Sequence, residues 1–145
     1  MPNHLADLSH AIQLAVAPVF LLTGIATLIN AMNTRLGRVV DRRRVVNKRV
    51  QEGLAEAGRQ AAEIELAILK RRGQLIYTAL FCEVLSALLV CLVVAGAFLG
   101  TLVRIDLAIA VAVGFVAAML SMIGGLGLFL REVYLAVRAH THWEP

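Results

Sequence analysis

The stretch TRLGRVVDRRRVVNKRVQEGLAEAGRQAAEIELAILKRRG, residues 34–73, carries eleven of the chain's fourteen Lys and Arg and no long apolar run. On either side the sequence changes character. Residues 11–33 carry no charge, residues 73–103 carry only Glu83, and residues 107–130 carry none. A charged block set between greasy runs is the layout of a multi-pass membrane protein, in which the runs cross and the block stays in water.

Composition agrees. Of 145 residues, 59% are hydrophobic and 17% charged, and the mean hydropathy is +0.78. So few charges, gathered mostly in one block, cannot coat a soluble domain of this size. A helix needs about 20 apolar residues to cross a hydrocarbon core of ~30 Å. All three runs meet that length. The leader, residues 1–10, holds Asp7 and no Lys or Arg, so the first run reads as a retained span and not as a signal peptide.

The expected fold is an all-α integral membrane protein with three transmembrane helices. The first two extend into a cytoplasmic antiparallel helical hairpin. The expected segments are an extracytoplasmic tail at 1–10, spans at 11–33, 73–103 and 107–130, the hairpin at 34–72, an extracytoplasmic turn at 104–106 and a cytoplasmic tail at 131–145. The positive-inside rule sets this orientation, because the basic block lies between the first two spans while Arg104 alone lies between the next two.

The hairpin is read from periodicity. Apolar residues continue past the first span at Leu36, Val39 or Val40, Val46 and Val50. Gly53 and Gly58 mark the turn around a short Leu-Ala-Glu-Ala stretch. The returning arm shows Ala57, Ala61, Ile64, Ile68 and Leu75 in a coiled-coil-like 4-3-4 pattern. A turn near residue 55 sets Val50 against Ala61, Val46 near Ile64 and Leu36 near Leu75. The outgoing arm is basic and the returning arm carries Glu52, Glu56, Glu63 and Glu65, a charge pattern that favours this pairing.

Chemistry can live in few places. Glu83 is the one acid well inside a span, and an unpaired carboxylate there costs a few kcal/mol or more. Counted from the inner boundary, Thr27 and Asn30 of the first span and Ser121, Gly124 and Gly125 of the third lie at similar depth. Gln13, Thr23, Thr27, Asn30 and Thr34 fall near one face of the first span, which also contains Pro18. That face is either a helix contact or the lining of a pore or polar cavity. With Glu83 it makes the candidate pathway for monovalent cations. The alternative for Glu83 is a structural hydrogen bond from Asn30 or a contact with an Arg. Small residues at Gly96, Gly100, Gly114, Ser121, Gly124 and Gly125 are expected at helix contacts.

Arg35, Arg38, Arg42, Arg43 and Arg44 are expected to touch anionic headgroups or a partner. The charge has no nucleic-acid motif beside it. Cys82 and Cys91 lie on opposite sides of one helix and read as free thiols. His140 and His142 lack further ligands nearby, so no metal or other cofactor is expected. No nucleophile–base motif or nucleotide loop is present, and the chain is not expected to be an enzyme.

At Asn33-Thr34-Arg35-Leu36-Gly37-Arg38-Val39-Val40-Asp41-Arg42-Arg43-Arg44 the chain resembles a family of small bacterial membrane proteins, domain of unknown function 2721. The likeness extends to the proline-containing first span, the Arg-x-x-Arg and Asp-Arg-x-Arg stretch, and the hydrophobic hairpin at the end. It implies a three-span protein of the bacterial inner membrane and no particular activity. Two functions follow as expectations. One is a homo-oligomeric, cation-preferring pore lined by the first span. The other is a non-conducting scaffold or regulator that acts through the basic hairpin.

Overall fold

The computed structural model describes residues 3–53, 55–103 and 105–141, with side chains from residue 16 to residue 138 except Leu54, Thr101 and Arg104. They form α1 (Asn3–Gln51), α2 (Glu56–Val103) and α3 (Ala108–Thr141). No strand occurs among the described residues. Each helix contains a segment long and apolar enough to cross a membrane. α1 has 49 residues, so it runs for about 73 Å at 1.5 Å per residue, well beyond a bilayer core. It is helical from Asn3, ahead of the expected first span, and passes through Pro18 without a break.

The α1–α2 turn is shorter than the glycine pair suggests. Gly53 turns the chain, with φ at +90°, a backbone shape that costs a residue with a Cβ roughly 1 kcal/mol or more. Glu52 N–H still donates to Lys48 O at 3.0 Å, so the helix ends in a tight turn. Gly58 lies inside α2. At the other end, Asp106 caps α3 by accepting the Ala108 N–H at 3.0 Å. Ile105 N–H donates to Gly100 O at 3.1 Å, and a Cβ on Gly100 would lie 3.2 Å from Ile105 O.

The helices divide into two compact units. One gathers the described residues of 1–29 and 82–123, the other those of 30–81 and 124–141. In the second unit the core is Met32, Val39 and Val46 of α1 against Ala62, Leu69, Ile76 and Ala79 of α2. Leu36, Val50, Leu66, Leu128 and Phe129 pack around it. In the first unit Ile25, Val90 and Ala118 are buried, and Gly114 lets α3 close onto Val93 of α2.

One period runs through all three helices. Buried positions recur every seven residues: Ile25, Met32, Val39 and Val46; then Ala62, Leu69, Ile76, Glu83 and Val90; then Ala118, Gly125 and Glu132. A seven-residue repeat is 3.5 residues per turn, the spacing that keeps one edge of a helix on its neighbour.

The outgoing arm of the predicted seam agrees with this, but the returning arm does not. Ile64 and Ile68 are 60% and 47% exposed, and Ala57 and Ala61 are exposed as well. The buried line is Ala62, Leu69 and Ile76, one position away. The turn at Gly53 explains the shift. It brings Arg42 opposite Glu65, so Val46 meets the turn of helix around Ala62 and not the one around Ile64.

Candidate functional site

In the first unit the site is built on α2. Three of its residues, Cys82, Glu83 and Ser86, face inward or partly so. Ser86 Oγ donates to Ala118 O at 2.8 Å, and Ser121 Oγ donates to Cys82 O at 2.7 Å. These bonds tie α2 to α3 in both directions. Within hydrocarbon such a bond contributes on average about 0.6 kcal/mol. Ser121 thus bonds across to α2.

Glu83 lies at the same level and is fully buried. Neither Oε1 nor Oε2 has a hydrogen-bond partner among the described residues. A carboxyl shielded from water and left without a donor is costly, and such groups concentrate at functional sites. Thr27 and Ser121 belong to the same unit as Glu83. Asn30, Gly124 and Gly125 belong to the other.

The polar face of α1 is exposed at Thr23, Thr27, Asn30 and Thr34. Three of its hydroxyls donate to their own helix: Thr23 to Val19 O, Thr27 to Thr23 O and Thr34 to Asn30 O, all near 3 Å. The Gln13 side chain lies outside the described residues. Of the small residues, Gly114 makes the closest approach, since a Cβ there would meet Val93 Cγ2 at 2.9 Å. Gly96 faces Val111 with ordinary clearance, Gly125 is buried, and Gly124 has open space beside it.

The second unit holds a charge cluster that the sequence reading passed over. Glu132 of α3 is fully buried. Arg72 donates to its Oε1 from Nε at 3.1 Å and from an Nη at 2.8 Å, and Arg35 donates to Oε2 at 3.2 Å. Arg35 also lies over the Phe129 ring, 5.4 Å from its centre. One acid thus joins all three helices. The expected tail at 131–145 is helical as far as it is described, since α3 continues through Glu132 to Thr141. The signal was present in the spacing, because Glu132 extends the line of Ala118 and Gly125.

The arginines expected at lipid or partner surfaces separate into two groups. Arg35 is committed to Glu132, and Arg42 donates to Glu65 at 2.6 Å. That carboxylate raises the Arg42 guanidinium above its ordinary range, first through the hydrogen bond and then through its charge. Arg44 makes a loose pair with Asp41 at 3.9 Å. Arg38 and Arg43 are exposed. No group of three or more metal-ligating side chains occurs among the described residues. Cys82 is half-buried and Cys91 exposed, both as free thiols.

Residues 15–142 match the model of a family described as a protein of unknown function, DUF2721. The chain belongs to this family. The match takes in the three helical segments long and apolar enough to cross a membrane, the arginine-rich stretch and Glu132, and so reaches into both units. No curated protein and no solved structure matches the chain.

Proposed function

We propose that this DUF2721 protein is the subunit of a homo-oligomeric, cation-preferring pore lined by α1. The observation that carries this reading is the exposed polar face of α1 at Thr23, Thr27, Asn30 and Thr34. Polar side chains at membrane depth belong against protein or water and not against lipid. In a ring of copies this face would turn to the centre. Glu83 would stand near the pathway or be coupled to it, and a ring of such carboxyl groups favours monovalent cations. No catalysis and no cofactor enter the proposal. The basic arm would lie on the cytoplasmic side of a bacterial inner membrane, with the N-terminus outside, by the positive-inside rule.

A second reading has its own support. Arg38 and Arg43 are exposed on the basic arm, and Ala57, Ala61, Ile64 and Ile68 form an exposed apolar line on the returning arm. Such a surface suits a coiled-coil partner or an anionic membrane, as a scaffold would need. Cation flux into liposomes separates the two. The pore reading expects flux that changes with Glu83→Gln. Absence of flux from the wild type would leave the scaffold.

A further inference from the structure

A groove of about 610 Å³ opens between α1 and α2 in the second unit, and of its lining residues only Arg43 enters the second reading. Its walls change character along their length. Along α1 the lining passes from Leu36 through Val40 to Arg43, and along α2 from Tyr77 through Gly73 to Lys70, on each helix from the apolar runs toward the hairpin turn. Gly73 has only Val39 Cγ1 near the position its Cβ would take, at 3.8 Å. The missing side chain keeps the groove open.

The two cations are available. Arg43 and Lys70 are exposed and form no ion pair among the described residues, whereas Arg35, Arg42, Arg44, Lys48, Arg59 and Arg72 each have a carboxylate. No acid lines the groove. The Arg42–Glu65 pair sets Arg43 farther along the hairpin from the apolar runs than Lys70. Helical side chains lean toward the N-terminus of their helix. In this antiparallel pair Arg43 leans back toward the apolar runs and Lys70 leans away from them, so both heads approach one level.

We infer that this groove is a binding site for one anionic phospholipid, with its phosphate between Arg43 and Lys70 and its acyl chains along Leu36, Val40 and Tyr77. The match is one of order. On α2 the charge, glycerol ester and hydrocarbon of the lipid meet Lys70, then the open Gly73, then Tyr77, and on α1 its charge and hydrocarbon meet Arg43, then Val40 and Leu36. A soluble anion would use only the first part. A zwitterionic lipid would bring its own ammonium group toward two cations. The inference needs neither conduction nor assembly.

The test uses the full chain in mixed micelles with phosphatidylglycerol or phosphatidylcholine, and native mass spectrometry to count retained lipid. The wild type should hold one phosphatidylglycerol per chain and little phosphatidylcholine. Arg43→Gln and Lys70→Gln should each weaken retention about fivefold, as expected for one surface cation near an anionic headgroup. Both side chains are exposed, so these variants should fold. Gly73→Leu fills the groove without changing charge and should abolish retention, with helicity checked by circular dichroism. Arg59→Gln, outside the groove, should change nothing. Equal retention of both lipids, an Arg59→Gln effect as large as that of Arg43→Gln, or displacement of the lipid by millimolar inorganic phosphate would overturn the assignment.

Discussion

The two acids fully buried among the described residues make opposite predictions. Glu132 is held by two guanidinium groups, and Glu83 by no donor among the described residues. Removing one partner of a buried ion pair costs about 3–5 kcal/mol, because the remaining charge stays buried. Arg72→Ala should approach that range in thermal unfolding in detergent. Arg35→Ala should cost less, since Arg35 makes one bond where Arg72 makes two and its side chain is 40% exposed against 21%. Glu83→Gln should leave stability unchanged or raise it, because no hydrogen bond to the carboxyl is lost among the described residues. A loss as large as that of Arg72→Ala would show that Glu83 is a structural residue. Glycines separate in the same assay. Gly114→Ala places a methyl 2.9 Å from Val93 Cγ2, and overpacking of this kind costs about 1–3 kcal/mol. Gly96→Ala has room and should be close to neutral.

At the scale of the element, the hairpin shows how far a pattern can be read. The outgoing arm was legible because its apolar residues are sparse, and only one line through them is regular. The returning arm is rich in Ala, Ile and Leu, so two adjacent lines of similar period compete. Ala57, Ala61, Ile64 and Ile68 form one, and Ala62, Leu69 and Ile76 the other. Position of the turn decides between them, and Gly53 rather than the midpoint of the glycine pair is the turn. The seam predicts that Leu69→Ala costs about 2–5 kcal/mol and Ile68→Ala well under half of that. Comparable losses in chemical denaturation would restore the earlier seam.

For the whole molecule, the proposals turn on how many copies assemble. A pore lined by α1 needs a closed ring, and native mass in lipid nanodiscs measures it directly. Four or more chains would keep α1 available as a lining. A monomer or dimer would leave its polar face without a central pathway and favour the scaffold. The lipid groove survives either outcome, since every residue that lines it comes from one chain.

Membership of DUF2721, the three membrane-crossing helices and the long charged arms were legible in the sequence alone. Hydropathy is summed over a window and needs no partner to be read. The pairing of buried charges was not legible in that way. Glu132 lies 97 residues from Arg35 and 60 from Arg72, so nothing local announces that the three meet. Glu83 was visible as an acid in an apolar run, but its lack of a donor is a property of the helices packed around it. Spacing along a helix states which residues share a face. Only the packing of one helix on another decides what that face meets.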